Sequence, residues 1–292
     1  MSGGRLCVGL HITKCAGTSL ITNLRRRLSE DEYYFCSSYY ENWLAGRPLF
    51  AQLRAPERLR IVFGHYVHRD LLSVFADREV FLFTGLREPV TRAISDYRQL
   101  NAVRAQAGAA PLEGNEYVAS HAGAICTEIL RAFPATDAAE PWEQARTALM
   151  AFDYIYDTDA FETQARTVFE VLDIPAESLA SDNVSDRKIF PAEFDTVMRR
   201  GYDHIEHDTG FLEQDLKLWA WVRPRLGQIM PLPPRPHGAT NEAARAAFCA
   251  RETGYLVHEF AALGRLAELR QGAEGWAETA RAVLDRVAQY GA

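Results

Sequence analysis

Three observations predict an α/β fold: an open parallel sheet flanked by helices, with a helical extension at its C-terminal end. Short, almost wholly apolar runs alternate with longer segments of helical periodicity through the first half. That is the pattern of parallel strands buried on both faces. Two of these runs, Leu6–Ile12 and Val80–Leu86, break abruptly into turns that open helices. The chain has 292 residues, 48% hydrophobic and 24% charged. This is ample for a full core and excludes collagen-like and largely disordered chains.

The elements follow in order. Leu6–Ile12 reads as a buried strand, followed by a small-residue loop from Thr13 to Ser19. Leu20–Leu28 carries apolar residues at 20, 21, 24 and 28, a helical spacing. Tyr33–Cys36 and Ile61–Phe63 read as short strands, the latter ending at Gly64-His65. Val80–Leu86 is the clearest strand, and Pro89 suits the first turn of the helix after it. Phe152–Tyr156 reads as a further strand, with a helix from about Ala160 to Leu172. Ala180–Lys188 is a polar loop, and the five prolines between Pro224 and Pro236 mark an extended connector. Thr240–Gln289 is Ala-rich and helical, with an apolar stripe through Trp276, Ala280, Val283, Leu284, Val287 and Ala288. We expect residues 1–230 to form the main domain. Residues 231–292 are expected to be a helical extension packed on or beside it, and an oligomerisation arm is the sharper alternative.

Composition narrows the functional classes. Lys plus Arg total 32 and Asp plus Glu 39, a net charge of −7, which disfavours a general nucleic-acid binder. No run of about 18 apolar residues predicts a transmembrane helix. Cys7, Cys15, Cys36, Cys126 and Cys249 are odd in number and widely spaced, with no C-x-x-C pair. Reduced thiols in a cytoplasmic protein are expected, with neither a zinc site nor a disulfide framework. The apolar N-terminal run is interrupted by Gly9 and His11 and does not read as a signal peptide.

Two segments carry chemistry. Thr13-Lys14-Cys15-Ala16-Gly17-Thr18-Ser19 lies between a strand and a helix, where backbone N–H groups and the helix dipole favour an anion. Ala16 and Gly17 let a ligand approach the backbone, Lys14 adds charge, and Thr18 and Ser19 add hydroxyls. Gly-Lys-Ser/Thr is absent, so this is not a Walker loop. The plainer alternative is a strand-to-helix turn capped by Thr18 or Ser19. The second segment runs from Leu86 to Tyr97 and places Arg87 at a strand's carboxyl end, with Ser95 two helical turns on. An arginine with a hydroxyl suits a phosphate monoester; the plainer alternative pairs Arg87 with Glu88 or Asp96 on a solvated surface.

Together the segments resemble the 5′-phosphosulfate loop and the 3′-phosphate motif of sulfotransferases that use 3′-phosphoadenosine 5′-phosphosulfate (PAPS). The nearest subgroup is the carbohydrate, 2-O-type sulfotransferases, with a Pro-Lys-Thr-Gly-Gly-Thr-Ser loop and a Leu-Arg-Asp-Pro-Val-x-Arg-x-x-Ser-x-Tyr segment. Here Thr13 replaces the proline, Cys15 the threonine and Glu88 the aspartate. Gly64-His65 is similar to that subgroup's Gly-His element, with Phe63 in place of a second histidine. Asn183-Val184-Ser185 resembles its nucleotide-closing loop, and Phe211-x-x-x-Asp215-x-x-Leu218 its Asp-x-x-Leu-Tyr helix. The resemblance spans roughly residues 6–222.

The resemblance implies a P-loop-like sulfotransferase fold and transfer of a sulfuryl group from PAPS to a hydroxyl, without a metal. The acceptor would be a carbohydrate, glycolipid or small natural product. It assigns nucleotide binding to Lys14, Cys15, Ala16, Gly17, Thr18, Ser19, Arg87, Ser95, Asn183 and Ser185. Lys14 would stabilise the transferring group and His65 would take the acceptor's proton, with His68 a weaker alternative. Cys15 in an anion loop is expected to have a lowered pKa. A P-loop-type small-molecule kinase and a non-catalytic nucleotide-binding protein are the competing classes.

Overall fold

The computed structural model describes residues 5–39, 42, 47–53, 55–136, 138–176, 179, 190, 192–231, 235, 238 and 241–262. Asn183, Ser185 and the apolar stripe from Trp276 to Ala288 lie outside the described residues. Five strands form one sheet: β1 (Leu6–Leu10), β2 (Tyr33–Phe35), β3 (Ile61–Gly64), β4 (Val80–Leu86) and β5 (Tyr154–Asp157). Their order is β2-β3-β1-β4-β5, and every pairing is parallel. The fold is thus α/β with an all-parallel sheet, as the alternating apolar runs require.

Side-chain alternation explains why the strands read as unbroken apolar runs. Leu6, Val8 and Leu10 of β1 face one core with Val62 and Leu82. Cys7 faces the opposite core with Ile61, Phe63, Phe81 and Phe83. Both faces are covered, so the strand interiors are almost wholly apolar. The second face is closed by α1 (Gly17–Arg25), through Leu20 and Leu24. Further along the chain come α2 (Asp70–Val74), α3 (Pro89–Gln106), α4 (Gly114–Ser120), α5 (Ala124–Ala132) and α6 (Pro141–Leu149). The helix expected over 160–172 is divided into a 3-10 turn at Thr158–Ala160, then α7 (Phe161–Gln164) and α8 (Arg166–Val171). At this break the Gln164 carbonyl accepts the Tyr154 hydroxyl at 2.7 Å and the Gln164 side chain accepts the Asp157 N–H at 2.7 Å. The remaining described helices are α9 (Ala192–His207), α10 (Glu213–Val222) and α11 (Glu242–Ala262).

Helix α11, the first part of the Ala-rich tail, packs on the core with Phe248, Leu256, Val257 and Phe260 buried against the first face. Its Glu252 is 1% exposed. One carboxyl oxygen accepts the Tyr34 hydroxyl and the other the Phe50 N–H at 2.9 Å. Burial pushes this carboxyl well above the usual carboxylate range. Glu252→Ala would strand both donors and should destabilise the protein by about 2–4 kcal/mol, whereas Glu252→Gln, which keeps an acceptor, should cost about 1 kcal/mol. Urea unfolding of the two variants checks this, and equal losses would contradict the assigned bonds.

Candidate functional site

The site lies where β1, β3 and β4 end together. Leu10 pairs with Gly64 on one side and Thr84 on the other. The His11 N–H continues the ladder to the Gly64 carbonyl at 3.0 Å, and the Thr84 hydroxyl donates to the Leu10 carbonyl at 2.8 Å. From β1 the chain crosses outward toward β2, and from β4 toward β5. The carboxyl ends of β1 and β4 therefore flank the crevice where ligands of such sheets collect.

The loop after β1 has an unusual backbone. Lys14 (φ 69) and Ala16 (φ 57) both adopt left-handed conformations, which turn successive N–H groups toward one side. Ala16 is the N-cap of α1 and makes no side-chain capping bond. Thr18 and Ser19 lie inside the helix, so neither is the capping residue that a plain turn predicts. At Gly17 a Cβ would overlap the His11 imidazole, which is why glycine stands at the first helical position. Cys15 is only 1% exposed and belongs to the apolar core. Burial pushes its thiol up to about 12, the reverse of the lowered value expected for an anion loop. The side chain at this position therefore faces the interior.

The second segment divides its charges between two tasks. Glu88 caps α3, accepting the Val90 N–H at 3.1 Å and the Thr91 N–H at 2.7 Å. Asp96 is buried and accepts the Tyr117 hydroxyl at 3.2 Å. Neither pairs with Arg87, whose Nε sits 3.5 Å from Asp159 Oδ1 with no hydrogen-bond partner. Arg87 lines a cavity of about 400 Å³ together with Ala16, Ser19, Thr158, Asp159 and Phe161. Arg87 and the start of α1 thus share one cavity. Ser95 lies half-buried in α3 and is not part of that lining. Lys14 is not either; its charge acts on His11.

His65 follows β3. Gly64 precedes it because a Cβ there would overlap the Cys36 backbone. The His65 Nδ1–H donates to the His11 carbonyl at 2.7 Å, which leaves Nε2 as the ring's unprotonated nitrogen. The two imidazoles stack with centroids 3.9 Å apart and an interplanar angle of 20°. Burial lowers His65 to about 4, and the nearby Arg131 guanidinium adds to the effect. His11, 8% exposed, is held well below the usual range by burial first, then by His65 and Lys14. His68 is directed elsewhere: its Nδ1 lies 3.2 Å from Asp70, which also pairs with Arg251.

Sequence reasoning missed two residues here. His11 fixes His65 through both its carbonyl and its ring, yet in the sequence it registers only as an interruption of an apolar run. Glu128 of α5 accepts the Thr13 N–H at 2.8 Å and its hydroxyl at 3.1 Å. No local signal links positions so far apart. Asp215 has a structural role, capping α5 by accepting the Ile125 and Cys126 N–H groups at 3.1 and 2.9 Å.

Two neutral imidazoles, His11 buried and His65 half-buried, make stability depend on pH. The folded chain binds protons to them less readily than the unfolded chain. Their contribution is therefore complete above pH 6.5 and is lost as pH falls toward 4. For His65 the change amounts to about 3 kcal/mol. Denaturant titrations at several pH values should show His65→Gln with a shallower fall in stability across this window. A slope identical to wild type would refute the neutral ring. No protein-family model matches the chain, and no curated protein matches it.

Proposed function

We propose that the protein is a PAPS-dependent sulfotransferase acting on a hydroxyl of a carbohydrate, glycolipid or small natural product. The observation that carries this reading is the single cavity lined by the start of α1 and by Arg87. The motif resemblance assigns these elements to opposite ends of one doubly charged nucleotide. The cavity's volume of about 400 Å³ is in the range of small-molecule sites. The buried, unpartnered Arg87 Nε provides a donor there for a phosphate oxygen. A bound phosphate would replace Asp159 as the guanidinium's nearest anion.

The chemistry divides accordingly. An acceptor hydroxyl gives its proton to His65 Nε2 as its oxygen bonds to sulfur. The bond from sulfur to the 5′-phosphate oxygen breaks, and 3′-phosphoadenosine 5′-phosphate leaves. Lys14 stabilises the charge growing on the bridging oxygen. The His11 carbonyl keeps the reacting nitrogen of His65 free of its proton. A neutral imidazole needs no deprotonation before it acts. The interior position of Cys15 supports activity, since its replacement of threonine leaves the loop's outward backbone intact. Five unpaired cysteines support a cytoplasmic place of action.

Calorimetry with 3′-phosphoadenosine 5′-phosphate tests the reading against ATP with Mg²⁺, the ligand a kinase would prefer. Arg87→Ala should weaken binding of the 3′-phosphate nucleotide by about 1–3 kcal/mol; unchanged affinity would exclude Arg87 from the site. His65→Ala should keep nucleotide affinity and lower turnover of labelled PAPS by ~100-fold or more. A fully active His65→Ala enzyme would rule out His65 as the base.

A further inference from the structure

Glu128 is remote from the loop in sequence but holds its first residue. One carboxyl oxygen, Oε2, accepts both the backbone N–H and the hydroxyl of Thr13. The N–H bond requires a residue other than proline at position 13. The next residues, Lys14 and Ala16, adopt left-handed conformations that non-glycine residues rarely hold unsupported. Downstream, α1 fixes the loop by packing Leu20 and Leu24 into the core. Upstream, the Glu128 carboxyl is the side chain that grips the turn at Thr13. The carboxyl is itself fixed, because α5 is capped by Asp215 and follows Gly123, its N-cap, whose N–H donates to the Phe211 carbonyl at 3.0 Å.

The charges around Glu128 suit a fixed support. The Arg92 guanidinium, 1% exposed, acts on Glu128 and also on Cys15, Asp96 and Asp215. Arg131, on the same helix, acts on Glu128 and donates to the His65 carbonyl at 3.4 Å. Burial raises the Glu128 carboxyl above its usual range, while the two Thr13 bonds pull it back down. The carboxyl thus contacts the loop at Thr13, and Arg131 on the same helix contacts the backbone of His65.

We propose that Glu128 is a positioning residue for the anion loop: through Thr13 it holds the strained Lys14–Ala16 turn in the form that receives the phosphosulfate. This inference rests on reading the loop as the 5′-phosphosulfate site. Three variants of the full chain test it. Glu128→Ala removes both bonds, Glu128→Gln keeps an acceptor, and Thr13→Val keeps the N–H and loses the hydroxyl. Calorimetric affinity for 3′-phosphoadenosine 5′-phosphate should fall about ten-fold or more in Glu128→Ala, remain within about three-fold in Glu128→Gln, and fall only a few-fold in Thr13→Val. Nucleotide-free hydrogen exchange should show the Thr13 amide losing protection in Glu128→Ala while the amides of β1 keep theirs. Wild-type affinity in Glu128→Ala, or a Gln variant as impaired as the Ala variant, would overturn the proposal. If Glu128→Ala fails to fold, full exchange protection of the Thr13 amide in Thr13→Val, with a few-fold affinity loss, supports the grip, and free exchange of that amide overturns it. If the wild-type protein binds no 3′-phosphate nucleotide, the sulfotransferase reading falls, and the exchange measurement still decides whether Glu128 holds the loop.

Discussion

A parallel strand buried on both faces has no polar outlet except its ends, and that constraint organises this molecule. The strand interiors of β1, β3 and β4 carry apolar residues and glycines, with Thr84 the one hydroxyl, turned to a backbone carbonyl. Their registers align Leu10 with Gly64 and Thr84. The first residues released from β1 and β3 are therefore neighbours, His11 stacking on His65, while β4 runs on to Leu86 before it releases Arg87. No long-range electrostatic attraction is needed to assemble them. The ladder bonds that stop at one edge bring the polar residues there, and the reversed crossover directions of β1 and β4 open the space between them.

The proposed anion site, in a chain of net charge −7, has Asp159 and Glu162 in its cavity lining, while three other nearby carboxylates are met by backbone donors. Glu88 binds the N–H groups at the start of α3, Asp215 those at the start of α5, and Glu128 the Thr13 N–H. Each accepts from backbone donors, and the first two also oppose the positive end of a helix. Their charge is largely met within the protein. Arg87 has a different environment: its ion-pair partner Asp159 is 57% exposed, and its Nε forms no hydrogen bond. An exposed ion pair contributes little to stability, so a phosphate can replace it at small cost.

Legibility in the sequence followed the strength of local constraint. Strand β4 was legible to the residue, because a seven-residue, mostly apolar run ends at a charged pair and a helix-starting proline. Strand β1 stops two residues short of its apolar run: the His11 N–H still bonds the Gly64 carbonyl, and Ile12 enters the turn, its carbonyl accepting the Cys15 N–H. The loop's place between strand and helix was legible, as was the position of Arg87 at a strand end. Orientation was not. Residue type alone could not show that Cys15 points inward, that Ser95 lies away from the Arg87 cavity lining, or that His68 turns to Asp70. These depend on which helix covers which face. The grip of Glu128 on Thr13 was least legible of all, because it arises only when α5 docks.

Helix α11 extends this reasoning to the C-terminal segment. Tyr255 stacks on Tyr66, the residue after His65, with centroids 4.2 Å apart, and Tyr66 stacks in turn on Tyr39 at 5.1 Å. Glu259, one turn further, accepts the Tyr39 N–H and the Ser38 hydroxyl, each at 3.3 Å. The segment after β3 is thus bounded by the His11 carbonyl on one side and by α11 on the other. A free loop would let the His65 ring rotate out of its stack and lose the bond that sets its tautomer. Anchoring Tyr66 restricts that rotation through the backbone, at a site where a displacement of 1 Å can remove most of the rate. The contribution of α11 to the proposed chemistry is therefore mechanical: it holds the chain that carries the reacting group.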